Sequence, residues 1–143
     1  MTLLPRQKVI VPFDFSDESI HAVKVAEELA GDEQEIHVIH VVPDLDAATY
    51  PGVIGSPFDD ERRTREAKQK MVEVLCDVAT DAVSLEVRVG DPGHAIVDFA
   101  QQIGAGLIVI PSHGRSGISR VLIGSVAERV TRHVHCPVLV LRP

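Results

Sequence analysis

Five apolar, β-branched runs punctuate the chain: KVIVPF at 8–13, IHVIHVV at 36–42, LEVRV at 85–89, LIVI at 107–110 and VLVL at 138–141. Runs this continuous predict strands covered on both faces, as in a parallel sheet. Between them, apolar positions recur at helical spacing. Ala22, Val23, Ala26, Leu29 and Ala30 form a first stripe, with Gly31 placed to end that helix. Ala67, Met71, Val74, Leu75 and Val78 form a second. Ile96, Val97, Ala100 and Ile103 form a third, with Asp91 as N-cap, Pro92 at the first helical position and Gly104 as the stop. Val126, Ala127, Val130 and Val134 form the fourth.

Strand and helix therefore alternate from end to end, which predicts an open α/β fold of Rossmann-like type. Crossovers between parallel strands are right-handed. If strands 1, 2 and 3 run outward on one side, the chain returns past strand 1 to place strands 4 and 5. The expected order is 3-2-1-4-5, a single five-stranded parallel sheet with two helices on each face. Ligands in such sheets sit beyond the carboxyl ends of the strands, where the order reverses. Two segments end there: PFDFSDES after strand 1 and PSHGRSGISRVLIGSVAERV after strand 4. One connection is long, residues 43–58, rich in Pro and Gly. A loop of that length is a lid over a site or an insertion.

Composition narrows the function classes. A chain of 143 residues with 45% apolar content suits one domain, residues 1–143, with a full core. Aromatics are only 3% with no Trp, so the core is expected to be aliphatic and stacking platforms for single-stranded nucleic acid are lacking. The net charge of -7 repels a phosphate backbone, so no nucleic-acid partner is expected. No apolar run approaches the length of a membrane span, and MTLLPRQKVIV shows no basic segment followed by a long apolar one. The expected setting is the cytoplasm, with Cys76 and Cys136 as free thiols, each read as a small buried hydrophobe.

The stretch after strand 4 holds the candidate chemistry. It lacks the Lys of a Walker A loop, reading Ile123-Gly124-Ser125, and the chain contains no G-x-G-x-x-G. Gly114, Gly117 and Gly124-Ser125 instead lead into a helix. Glycines let backbone N–H groups approach phosphate oxygens, and a helix N-terminus adds positive potential. The competing reading is structural, since Ser125-Val126-Ala127-Glu128 fits a capping box. His113 is either a phosphate donor or a loop residue, and Arg115 and Arg120 are read as solvated loop charges. His37 and His40 lie an odd number apart on a strand and face opposite sides, so they cannot chelate one metal. No His/Cys/Asp cluster has zinc-like spacing, and any metal would be Mg²⁺ carried in by a ligand's phosphates.

VPFDFSDES, IHVIHVV, GDPGHAIVDFAQQIGAGLIVIPSHGRSGISRVLIGSVAERV and CPVLVLRP resemble the universal stress protein family along nearly the whole chain. The likeness is close in the last 50-odd residues and looser over 43–90. It implies an adenine nucleotide alpha hydrolase-like fold and, from the family's ATP-binding members, a G-x-x-G, nine residues, then G-[S/T]. Here the second Gly is Gly114, the nine residues are Arg115 to Ile123, and the pair is Gly124-Ser125, followed by Val126. The first Gly is replaced by Pro111, which has no N–H to donate.

By the same resemblance Pro12 and Asp14 match the turn whose acid reaches the ribose hydroxyls, and Val41 an adenine-lining position. Asp14 would otherwise help start the first helix with Ser16, Asp17 and Glu18, and Val41 would be an ordinary core valine. The resemblance also implies a homodimer built by antiparallel pairing of the exposed strand-5 edges, Val138, Leu139, Val140 and Leu141. The expected function is an ATP-binding, cytoplasmic regulatory module of the stress response, with protein partners unspecified. The alternatives are a nucleotide-independent interaction protein of the same fold and a slow ATP hydrolase. No poised general base or Ser-His-Asp order is visible in the sequence.

Overall fold

In the computed structural model, residues 8–31, 34–44, 57–79, 82–113 and 123–143 are described. Gly114, Arg115, Gly117 and Arg120 lie outside these, as does most of the long connection. The elements follow the expected alternation: β1 (Lys8–Pro12), α1 (Asp17–Leu29), β2 (Glu35–Val42), α2 (Pro57–Leu75), β3 (Val83–Val89), α3 (Pro92–Ile103), β4 (Leu107–Pro111), α4 (Ser125–His133) and β5 (Val138–Leu141).

The sheet has five strands in the order β3-β2-β1-β4-β5, all neighbours parallel. Strand β1 lies between β2 and β4, with Ile10 opposite His37 on one side and Ile108 on the other. Side-chain alternation divides the core into two aliphatic layers. Val9, Val11 and Val38 face α1 and α2, meeting Ala22, Val23, Ala26 and Met71. Ile10, Ile39 and Ile108 face α3 and α4, meeting Ile96, Phe99, Ala127 and Val130. Both layers are nearly inaccessible to water, which is the hydrophobic stabilisation the apolar runs foreshadow. His37 and His40 do face opposite layers, His37 packing on Phe99 of α3 and His40 on Phe15.

Helix α3 has the caps its sequence announces. Asp91 accepts from the His94 amide, Pro92 opens the first turn, and Gly104 closes it with φ 66°. Three details depart from expectation. Helix α1 ends at Ala30, whose amide bonds Ala26 O, and the left-handed glycines among the described residues are Gly90 and Gly104, not Gly31. Leu29, placed in the apolar stripe, is 45% exposed, although Ala26 and Ala30 on either side of it are buried. Helix α2 begins at Pro57, so the connection after β2 is shorter than 43–58; Arg63 of α2 donates to Pro43 O at 2.7 Å and ties the helix to the strand exit.

The cysteines also divide. Both are free thiols, but Cys76 is exposed, not buried, because it follows the end of α2 on the solvent side. Cys136 is half-buried beside the α3/α4 layer, and burial raises its thiol pKa.

Candidate functional site

A cavity of about 280 Å³ opens at the carboxyl ends of β1, β2 and β4. Its walls come from Pro12, Phe13 and Asp14 at the end of β1, Ile39, His40 and Val41 of β2, and Ile110, Pro111 and Ser112 at the end of β4. Helices α3 and α4 close it with Pro92, Ile96 and residues 124–127. This is the crevice where the strand order reverses. Of the residues singled out in the sequence, Pro12, Asp14, Val41, Gly124, Ser125 and Val126 all meet here.

Asp14 has both of its proposed roles available. Its Oδ1 accepts from the Ser16 amide at 3.0 Å and from the Ser16 hydroxyl. Ser16 in turn caps α1 by accepting from the Ser19 amide at 3.1 Å. The carboxylate thus starts the helix and lines the cavity at once. Val41 likewise is both a buried core residue and part of the wall.

The turn carrying Asp14 is unusual. Phe15 has φ 66°, the only positive φ at a non-glycine among the described residues. The left-handed region costs an L-residue about 1–2 kcal/mol, so something must hold this one. The Phe15 ring meets Phe13 at 5.0 Å and His40 at 4.8 Å, both edge-on, and the Lys70 ammonium lies 4.6 Å over its face. His40 is itself fixed, with Nδ1 donating to the Phe13 carbonyl at 2.8 Å, while the Phe13 amide bonds Ile39 O.

At the opposite wall the capping box does not form. Gly124 is the N-cap of α4, without a side-chain cap bond, and Ser125 is the first helical residue with an exposed side chain. The reason is tertiary: the Gly124 amide donates 2.6 Å to Ser112 O, which fixes Gly124, not Ser125, at the helix boundary. Glu128 closes the first backbone bond to Gly124 O and makes its side-chain pair with Arg132, one turn on. The amides of Ser125, Val126 and Ala127 belong to the first turn, where a helix has no acceptors of its own, and these residues line the cavity. A phosphate or other anion suits that position.

Pro111 is the last residue of β4, paired with Leu141, and forms wall without offering an N–H. His113 is not brought to this cavity. It is buried and lines a separate pocket with Asp17, Glu18, His21 and Arg142, near the start of α1. Its Nδ1 lies 2.9 Å from Ser112 Oγ, a serine–histidine contact that sequence reading missed. His40 and Pro92 were also missed as wall residues. His40 comes from the end of β2 and Pro92 from the start of α3, and periodicity carries no trace of their meeting at one cavity.

Beside Pro92, a polar node joins the two helices. Arg129 of α4 lies over Gly93 and reaches Asp91 Oδ2 at 3.0 Å. The His94 amide, foremost, and then the His94 ring and Arg129 hold the Asp91 carboxyl below its ordinary pKa. Among the described residues no group of His, Cys, Asp and Glu is arranged to hold a metal ion, and no helix is long and apolar enough to cross a membrane.

Known proteins resemble the chain in sequence and in fold. The model of the universal stress protein family covers residues 5–142. A universal stress protein of Methanocaldococcus jannaschii is 35% identical over 95% of this chain and 82% of its own length. The solved structure of a second protein of that family and organism superposes with a TM-score of 0.77 at 27% identity, covering 96% of each chain. A universal stress protein solved in complex with cAMP superposes with a TM-score of 0.68 at 23% identity, covering 95% of this chain and 97% of that one.

Proposed function

The chain belongs to the universal stress protein family, and we propose that within it this protein is an adenine-nucleotide-binding regulatory module. The observation that carries the reading is the cavity itself. One wall is a carboxylate, Asp14, suited to accepting from the two hydroxyls of a ribose. The other is the first turn of α4, whose Ser125 takes no part in capping. The lining also includes Val41, Ile39, Ile96 and Ile110, an apolar bed for a base. A nucleotide presents these three chemistries, with the ribose joining base to phosphate. Ser125, Val126 and Ala127 would hold a phosphate and Asp14 the ribose. ATP would bring Mg²⁺ with its phosphates, and a cyclic nucleotide, the ligand of one relative, would bring a single phosphate without it.

The same reading takes the protein to act in the cytoplasm as a homodimer through β5. That strand pairs with β4 on one side and is an edge of the sheet, with Leu139 37% exposed. Binding would change the surface that protein partners meet.

Two observations favour a second reading, an interaction protein of the same fold that binds no nucleotide. Pro111 removes one donor from the wall, and the Gly124 amide is already bonded to Ser112 O. Calorimetric titration with ATP, ADP, AMP, cAMP and GTP separates the two. Binding of the adenine series, with GTP weaker, is expected. Silence toward all five at millimolar concentration would leave the second reading standing.

A further inference from the structure

Phe15 is a bulky residue where the backbone favours glycine. Its φ of 66° folds the chain so that Ser16 turns its amide and hydroxyl back onto Asp14 Oδ1. Glycine would make this turn without strain, but it would bring no ring. The ring touches three elements at once: Phe13 at the end of β1, His40 on β2, and Lys70 on α2. Two of these contacts are themselves cross-linked, since His40 Nδ1 donates to the Phe13 carbonyl. The side chain is therefore a peg seated among β1, β2 and α2, with the strained turn hanging from it and Asp14 adjacent to it. Strained residues persist only where their surroundings over-determine them, and they gather at ligand sites.

We propose that Phe15 is the positioning residue for diol recognition: seated against Phe13, His40 and Lys70, it holds the Asp14 carboxylate where a ligand's vicinal hydroxyls bond to it. The ligand class so selected is a ribonucleoside or ribonucleotide, discriminated from its deoxy counterparts. The inference rests on the nucleotide reading above and adds to it the residue that sets the sugar specificity.

The test compares adenosine with 2′,3′-dideoxyadenosine by calorimetry, so that the ratio of affinities isolates the hydroxyls. Wild type is expected to favour adenosine by about tenfold, the loss of a bond to a charged acceptor. Phe15→Ala keeps the demand for a left-handed backbone and removes the peg, so the ratio should fall toward unity. Phe15→Gly makes the turn without strain but does not anchor it, and its ratio should lie between the two. A general weakening of the fold would lower both affinities together and leave the ratio unchanged.

Wild-type discrimination retained in a folded Phe15→Ala protein overturns the proposal. If Phe15→Ala does not fold, an unchanged ratio in Phe15→Gly overturns it equally. Equal wild-type binding of both nucleosides defeats this inference alone, whereas binding of neither defeats the nucleotide reading and this with it.

Discussion

The amide of Gly124 donates to the carbonyl of Ser112 at 2.6 Å, and a Cβ built on Gly124 would stand 2.9 Å from that same oxygen. The glycine is thus required by the docking of α4 against the exit of β4. A β-branched residue here would push the helix off the strand, so lost nucleotide binding in Gly124→Val would not identify a phosphate contact. We expect Gly124→Ala to destabilise the fold by about 1–3 kcal/mol, read as a lowered Tm. An unchanged Tm would mean that the close approach relaxes freely.

Ser125→Ala is the cleaner probe of the phosphate position. A serine acting as N-cap costs about 1 kcal/mol when replaced by alanine. Ser125 is the first helical residue and caps nothing, so stability should stay within about 0.5 kcal/mol of wild type. Affinity for a nucleotide should fall up to about tenfold, while affinity for adenosine is unchanged. Equal losses for both ligands would move the phosphate away from α4.

Pro111→Gly restores a backbone donor to the cavity wall. Nucleotide affinity should rise by about tenfold if a phosphate oxygen takes that donor. Stability should drop by about 0.5–1 kcal/mol through the freer unfolded chain. Unchanged affinity in the calorimeter would show that a residue here gives clearance alone.

Asp91 and Arg129 make stability sensitive to acid. The folded-state pKa of Asp91 is depressed, chiefly by the His94 amide and then by the His94 ring and Arg129. Its contribution is complete at neutral pH. It declines as pH falls through the unfolded value near 4 and then through the lower folded one. The pair is half-exposed, so the effect is small. Asp91→Asn should lower Tm slightly at pH 7, and the gap from wild type should close toward pH 3. A gap that widens on acidification would contradict the assignment.

The edge of β5 supplies the assembly prediction. Val138 and Val140 pack on the α3/α4 layer, whereas Leu139 is the exposed large residue of the strand. Substituting Val140 would damage the core as well as the edge, so Leu139→Lys is the better choice. Sedimentation should show wild type as a dimer at micromolar concentration and Leu139→Lys shifted toward monomer with its Tm retained. A monomeric wild type would end the proposal.

Much of this protein is legible without a structure, for a reason particular to its elements. The β-branched runs, the helical stripes and the caps Asp91, Pro92 and Gly104 all act within a few residues of themselves, and crossover handedness turns their order into a topology. Asp14 and Ser125 could be named for the same crevice because parallel strands deliver their carboxyl ends to one side.

What only the tertiary structure decided depends on partners distant in the chain. Ser125-Val126-Ala127-Glu128 has the local pattern of a capping box, but Ser112, thirteen positions earlier than Ser125, takes the Gly124 amide and moves the boundary. His113 sits one residue from a cavity-lining serine, yet its ring belongs to the pocket beside α1. Phe15 reads as one more apolar residue until Phe13, His40 and Lys70 close around it and hold a backbone conformation that its own propensity opposes. Periodicity reports which face of an element is buried. It carries no information about which distant group meets a given atom there, and at this site those meetings set the chemistry.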